Sequence, residues 1–167
     1  MNYIDIKPND SINGNGVSVS LFVSGCPHHC KGCFNQETWD FEAGKPFGAD
    51  EIVYIQSKLN RNNIIRNFSV LGGEPLCFEN YLTVLLTIKS IKMTNPKSKV
   101  FVWTGYTYEE LVQMYPSWYL EDIDVLIDGK FEIEKKDATL KLRGSSNQRV
   151  IDVAKTLKER KVILLDI

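Results

Sequence analysis

Three of the four cysteines of this 167-residue chain fall within one short stretch, CPHHCKGC. They are Cys26, Cys30 and Cys33, with three residues between the first two and two residues between the last two. Cysteines this close together are more often metal ligands or redox groups than structural disulfides in a reducing compartment. The spacing therefore points to a metal centre.

Three kinds of site are open to such a triplet. A structural zinc site needs a fourth ligand, from His28, His29 or the distant Cys77, and normally uses two ligand pairs. A catalytic Cys–His pair would leave the neighbouring thiols unexplained. An iron–sulfur cluster held by three thiolates keeps one iron free for a further ligand, because full ligation uses four. We expect the histidines to be exposed or packed in the loop, and Cys77 to be a small buried apolar residue.

The elements around the triplet predict where it sits. VSVSLFV at 17–23 is apolar and β-branched, so it predicts a buried strand that leads directly into the cysteine loop. Alternating strands and helices follow, and this βαβαβαβ pattern predicts a parallel sheet with right-handed crossovers. The further strands are predicted in NFSVLGGEP, KVFVWTG and DVLIDG, and the helices at Asp50–Leu59 with Asp50 as N-cap, at Tyr81–Ile91 and in YEELVQMY.

The tail is less regular, with a possible strand in ATLKL, a strand or helix start in QRVIDV and a final strand in KVILLDI. Because a complete eight-unit β/α barrel takes about 250 residues, the chain predicts an α/β fold with an incomplete β/α barrel, in one domain over residues 1–167. The loops SGC, GGEP, WTG and IDG should converge at the carboxyl ends of its strands. Core positions are expected on the helices at Ile52, Ile55, Leu82, Leu85 and Leu86.

Composition argues against some partners. The net charge is −1, from 20 basic and 21 acidic residues, so no broad attraction to nucleic acid or an anionic membrane is expected. The N-terminal residues lack a basic region followed by an apolar run, and no stretch has the ~20 apolar residues of a membrane helix. These features predict a cytoplasmic protein whose partners are small molecules or proteins.

The pattern C-x3-C-x2-C after a strand resembles the radical S-adenosylmethionine superfamily. The resemblance implies a [4Fe–4S] cluster on Cys26, Cys30 and Cys33, whose open iron chelates S-adenosylmethionine. Reduction of the sulfonium then gives methionine and a 5′-deoxyadenosyl radical. In most members an aromatic residue precedes the third cysteine, whereas here Gly32 stands there and Phe34 follows.

Further motifs resemble the glycyl-radical activating enzymes that serve anaerobic ribonucleoside-triphosphate reductases. The resemblance implies a protein that installs a glycyl radical on the large subunit of the reductase, with an electron donor such as flavodoxin or ferredoxin. The alternatives are an activating enzyme for another glycyl-radical enzyme, of the pyruvate formate-lyase type, or a radical enzyme with a small-molecule substrate. The motifs are NGNG at 13–16, NQETWDFEAGKPF, WTGY at 103–106, LIDGKF at 126–131 and RGSSNQR at 143–149.

The same resemblance implies a set of contacts with S-adenosylmethionine. The carboxylate of Glu74 would contact the methionine ammonium, or would brace its loop while backbone oxygens make that contact. The two glycines before it would allow the backbone to approach the ligand closely. The full set of expected cofactor-binding residues is Gly32, Cys33, Phe34, Gly72, Gly73, Glu74, Thr104, Asp128, Arg143, Ser145 and Ser146.

Overall fold

The computed structural model describes residues 1–167, which form seven strands and four α-helices. The strands are β1 (Asn2–Asp10), β2 (Ser18–Val23), β3 (Lys45–Pro46), β4 (Asn67–Gly72), β5 (Val100–Trp103), β6 (Val125–Asp128) and β7 (Arg149–Asp152). The helices are α1 (Ala49–Leu59), α2 (Tyr81–Thr94), α3 (Tyr108–Met114) and α4 (Val153–Glu159). All strands belong to one sheet, in the order β3-β1-β2-β4-β5-β6-β7.

The central four strands of the sheet confirm the predicted alternation. Strands β2, β4, β5 and β6 are neighbours and run parallel, and α1, α2 and α3 lie in the connections between them. The carboxyl ends of parallel strands meet at one edge of the sheet, so the loops that follow them are brought together. These are the loops that contain SGC, GGEP, WTG and IDG.

The two flanks correct the expectation of a parallel sheet. Strands β1, β3 and β7 pair antiparallel with their neighbours, so the sheet is mixed. The predicted strand in ATLKL does not form, and KVILLDI supplies only an isolated bridge from Leu164 to Ile151. Strand β1 pairs with β3 only at Asn2 and Tyr3. Strands β3 and β7 lie at opposite edges of the sheet and do not pair with each other. The sheet is therefore open rather than closed into a barrel.

The main core lies between the helices and one face of this sheet. It contains 21 buried residues, among them Val19 and Leu21 of β2 and Ile88 of α2. A smaller cluster on the opposite face joins Phe101 and Ile127 to Val125 and Val150. Side chains alternate between the faces of a strand, so the second face is left for contacts other than the helices.

Two local predictions about the helices were wrong. Gly48, not Asp50, is the N-cap of α1, and its N–H donates to Glu51 Oε2 at 2.8 Å. Leu82 and Leu86 of α2 are 55% and 57% exposed, although both were expected in the core. Ile55 and Leu85 are buried as expected, and Ile52 is half-buried.

No helix reaches the length and apolar character that a transmembrane span requires, and the longest, α2, has 14 residues.

Adjacent leucines of α2 provide a matched test of how this helix packs. Leu85 is buried in the main core, whereas Leu86 faces outward. Leu85→Ala should lower the free energy of unfolding by about 2–5 kcal/mol, because it leaves a cavity. Leu86→Ala should change it by no more than about 0.5 kcal/mol. Urea unfolding of both variants measures the difference, and equal losses would show that α2 packs differently.

Candidate metal centre

Four loops at the carboxyl edge of the sheet enclose a cavity of about 130 Å³. The cysteine loop, the loop after β4, the loop after β5 and the loop after β6 each contribute to its wall, as predicted. Its polar and sulfur-bearing lining residues are Cys26, His28, Cys30, Cys33, Asn35, Glu74, Thr104 and Gln148, and its backbone and aromatic walls include Gly72, Gly73, Gly105, Gly129, Trp39, Trp103 and Phe131. The cavity therefore collects all three clustered cysteines.

The four thiols fall into two environments. Cys26, Cys30 and Cys33 are free and half-buried at the wall of the cavity. Cys77 is also free but buried, and its thiol donates to the backbone carbonyl of Glu74 at 3.1 Å. This separates the triplet, which is accessible to a ligand, from the fourth cysteine, which packs in the interior as predicted.

Burial and backbone hydrogen-bond donors act in opposite directions on the pKa values of Cys26 and Cys30. Burial raises the pKa of the Cys26 thiol to about 11, while backbone hydrogen bonds from His28 and His29 favour its thiolate. Burial likewise raises the pKa of Cys30, against a backbone hydrogen bond from Phe131. The N–H of Asn35 donates to Cys33 Sγ at 3.4 Å. Backbone donors aimed at cysteine sulfurs are a feature of iron–sulfur sites, where they stabilise the charged sulfur.

The donor set suits a cluster better than a single ion. His, Cys, Asp and Glu side chains do not converge in threes on any point where one metal ion would sit. A zinc ion draws about four ligands to within about 2.3 Å, whereas a cubane cluster takes its thiolates at separate corners. Three free thiols spread over one cavity wall with N–H donors behind them fit that second arrangement.

Glu74 is 1% exposed, and both oxygens of its carboxylate have hydrogen-bond partners within the protein. Its Oε1 accepts from Leu76 N at 2.9 Å and from Thr104 Oγ1 at 2.7 Å. Its Oε2 accepts from Gly105 N at 2.6 Å and lies 2.9 Å from His28 Nε2. Of the two roles foreseen for Glu74, the geometry favours bracing the loop.

Glycines in these loops make room for other parts of the protein. A Cβ on Gly73 would lie 2.3 Å from the carbonyl oxygen of Gly25 in the cysteine loop. That close approach is fixed by the bond from Glu74 N to the same carbonyl, at 2.7 Å. A Cβ on Gly105 would lie 2.4 Å from Cδ2 of His28. The glycines thus dock the loop after β4 and the loop after β5 onto the cysteine loop.

A second cavity of about 540 Å³ adjoins the first on the open face of the sheet. Cys33, Leu71, Trp103 and Phe131 are among the residues that line both. Phe34 lines the second cavity, is 64% exposed and packs against Phe131 with ring centroids 5.3 Å apart. The cluster cavity therefore continues into a larger space.

The remaining residues of the predicted cofactor set are divided. Arg143 lines the second cavity, and its guanidinium donates to the carbonyl of Gln148 at 2.8 Å. Neither cavity is lined by Gly32, Asp128, Ser145 or Ser146.

Contacts within the protein account for two of these four residues. Asp128 accepts from Tyr108 N at 2.7 Å and from Arg149 Nε at 3.0 Å. The hydroxyl of Ser145 accepts from Glu132 N at 3.2 Å. Ser146 is exposed.

Sequence reasoning missed the role of His28. It was expected to be exposed or packed in the loop, and it is packed, with its side chain 7% exposed against Glu74 and Tyr106. His29 is exposed and stacks on Trp39 with ring centroids 4.6 Å apart. The only local signal for His28 is its position beside the cysteines. Its partner Glu74 is 46 residues away in the sequence, and only the fold brings the two side chains together.

Comparison with known proteins agrees with the site. A family model described as a 4Fe-4S single cluster domain matches residues 12–151. The chain is therefore of the class that carries a single iron–sulfur cluster.

Curated relatives define the family more closely. The anaerobic ribonucleoside-triphosphate reductase-activating protein of Pasteurella multocida is 43% identical over 150 residues, which cover 89% of this chain and 95% of the relative. The protein of that name from Escherichia coli K12 is 42% identical over 153 residues, covering 90% and 97%. The one from phage T4 is 38% identical over 151 residues, covering 90% and 93%. This chain belongs to the family of anaerobic ribonucleoside-triphosphate reductase-activating proteins.

Replacing the cysteines one at a time tests which of them hold the cluster. Cys26→Ala, Cys30→Ala and Cys33→Ala should each abolish a stable cluster, because each would remove one of the three ligands predicted from the sequence. Cys77→Ala should retain it, since that thiol is buried against the Glu74 carbonyl. Iron and sulfide analysis with low-temperature EPR of the reduced proteins provides the measurement. Loss of the cluster in Cys77→Ala alone would contradict the assignment.

Proposed function

We propose that this chain is a radical S-adenosylmethionine oxidoreductase that installs a glycyl radical on the large subunit of an anaerobic ribonucleoside-triphosphate reductase. Its resident cofactor is a [4Fe–4S] cluster held by Cys26, Cys30 and Cys33, and its electron comes from a flavodoxin or ferredoxin. With S-adenosylmethionine and one electron, such a cluster would supply a 5′-deoxyadenosyl radical and release methionine, and the radical would take a hydrogen atom from the glycine to become 5′-deoxyadenosine. Residues 1–167 act as one domain, an open β/α barrel of the radical S-adenosylmethionine type.

One observation carries this proposal: the cavity that holds the three cysteines continues into a larger cavity on the open face of the sheet. A polypeptide segment can approach the cluster from that side without the enzyme having to close around it. Family membership identifies the polypeptide, because the curated relatives are named as activators of the anaerobic reductase.

Backbone oxygens are the groups that would receive the ammonium of S-adenosylmethionine. The carboxylate of Glu74 already accepts hydrogen bonds from within the protein, whereas the carbonyls of Gly73 and Thr104, beside the cavity, accept no backbone hydrogen bond. An ammonium has three donors and no acceptor, so free carbonyls suit it. Of the two arginines and two serines in RGSSNQR, Arg143 is the one that lines the second cavity, where a guanidinium would suit a carboxylate.

The aromatic walls would exclude water from the reaction. Trp39, Trp103 and Phe131 line the cluster cavity. Trp103 is held in place by its indole N–H, which donates to the carbonyl of Leu142 at 2.6 Å. These side chains shield a reactive radical from solvent, which prevents side reactions.

The proposed activity is tested with the cognate reductase under anaerobic conditions. The reconstituted, reduced protein with S-adenosylmethionine should form 5′-deoxyadenosine and produce a glycyl-radical EPR doublet on the reductase. Oxygen should destroy the doublet and cleave the backbone at that glycine. Efficient cleavage of S-adenosylmethionine with no doublet on the reductase, together with modification of a small metabolite, would refute the proposal.

Exposed apolar residues at the rim of the second cavity should contact the reductase. Ile12 and Phe34 are 80% and 64% exposed, and both line this cavity. Ile12→Asp and Phe34→Asp should lower the glycyl-radical yield roughly tenfold or more, since charges at the centre of an interface disrupt it. The reductant-driven cleavage of S-adenosylmethionine by Ile12→Asp should persist.

A matched control for these variants lies on α2. Met93 is 81% exposed and lines neither cavity, so Met93→Asp should leave the radical yield unchanged. Full radical yield in the Ile12 and Phe34 variants, or an equal loss in Met93→Asp, would place the docking surface elsewhere. Quantitative EPR of the reductase decides between these results.

A further inference from the structure

We infer that His28 is a positioning residue that ties the cysteine loop, through Glu74, to the loop that binds S-adenosylmethionine. The inference rests on the proposed function and deepens it. It concerns the distance between two parts of the site, the thiols that hold the cluster and the backbone carbonyls after β4.

The contact is close and shielded. His28 Nε2 lies 2.9 Å from Glu74 Oε2, and the two side chains are 7% and 1% exposed. Glu74 Oε2 also accepts from Gly105 N. Because a carboxylate offers only acceptors, the imidazole must donate from Nε2. A hydrogen bond to a charged and buried group is among the stronger ones in a protein.

His28 is the one side chain of the cysteine loop that reaches this carboxylate. The other donors come from Leu76 in the same loop as Glu74, and from Thr104 and Gly105 after β5. The backbone bond from Glu74 N to the Gly25 carbonyl fixes only the start of the cysteine loop. The segment that carries the three thiols is therefore anchored to Glu74 through His28.

The surroundings of the imidazole are shaped for it. Its ring meets Tyr106 edge to face, with centroids 4.5 Å apart. Gly105 leaves the space that the ring occupies, because a Cβ there would come within 2.4 Å of it. A side chain at position 28 thus meets a preformed slot beside a buried acceptor. His29, the next residue, is exposed and has no such slot.

These contacts set the geometry between the two halves of the site. The cysteine loop determines where the cluster would lie, and Gly73 of the loop after β4 lines the same cavity. Removal of the His28 donor leaves all three thiols in place but leaves Glu74 Oε2 with one donor fewer. The loop after β4 would then be held less firmly relative to the cluster. S-adenosylmethionine, which must reach both, would bind more weakly than before.

The experiment compares variants at position 28 after anaerobic reconstitution. His28→Leu removes the donor, His28→Asn shortens it, and His28→Gln keeps an amide N–H near the original Nε2. His29→Asn is the matched control on the neighbouring residue, since Asn tolerates the left-handed backbone there, with φ at 47°. Iron and sulfide content reports the cluster, and titration of the reduced cluster with S-adenosylmethionine, followed by the shift in its EPR spectrum, reports binding.

We expect all four variants to retain the cluster. The dissociation constant for S-adenosylmethionine should rise roughly ten- to hundredfold in His28→Leu and His28→Asn, the effect of losing a hydrogen bond to a buried charge. His28→Gln should recover most of the binding, and His29→Asn should match the unmodified protein.

The outcomes separate this inference from the proposed function. An unmodified protein that holds its cluster but neither binds nor cleaves S-adenosylmethionine would overturn the proposed function. Normal binding in His28→Leu would overturn the role of His28 alone. Equal weakness in His28→Gln and His28→Asn would overturn the hydrogen bond as its cause. If His28→Leu fails to fold, the comparison of the Gln and Asn variants still decides.

Discussion

A buried carboxylate between three loops is the constraint around which this site is built. Glu74 is taken out of water, and such a charge is costly unless hydrogen bonds compensate it. Its compensation comes from its own loop, from the loop after β5 and from His28 in the cysteine loop. The full set of donors is in place only when all three loops are, so the carboxylate makes their positions interdependent.

The packing of the loops follows from the same constraint. Glu74 can lie this close to the cysteine loop only because two residues at the contact, Gly73 and Gly105, have no side chain. Gly73 lies against the Gly25 carbonyl and Gly105 against the His28 ring. Close contacts between loops of this chain therefore explain the glycines of GGEP and WTG. This leaves the cavity beyond them lined by three cysteines, by glycines and by aromatic residues.

The parallel half of the fold was predictable because its signals are local. Apolar strand runs and periodic helices mark β2, β4, β5 and β6 and the helices between them, and the cysteine spacing marks the metal site. Strand β1 was missed because none of its apolar residues is fully buried and exposed polar residues are interspersed among them, with Pro8 interrupting the pattern. The terminal KVILLDI is apolar enough for a strand. It can pair only with the free edge of β7, which exists only in the folded sheet and cannot be seen in the local sequence.

Side-chain partnerships were the least predictable part of the site. Glu74 and His28 are 46 residues apart, and nothing local to either indicates the other. The sequence predicts that Asp128 faces the cofactor at a strand end. Its carboxylate instead accepts a hydrogen bond from Arg149 of β7, the antiparallel strand that the sequence predicted only as a strand or helix start. The helical leucines Leu82 and Leu86 illustrate the same limit, because α2 is apolar on its exposed face as well as on its packed face.

The most direct test of the account follows the hydrogen atom itself. The cognate reductase would be prepared with deuterated glycine and activated by the reduced protein and unlabelled S-adenosylmethionine. Mass spectrometry of the nucleoside product then shows where the hydrogen came from. The account predicts 5′-deoxyadenosine that carries one deuterium, formed in proportion to the glycyl radical. Unlabelled 5′-deoxyadenosine alongside a full yield of glycyl radical would contradict it.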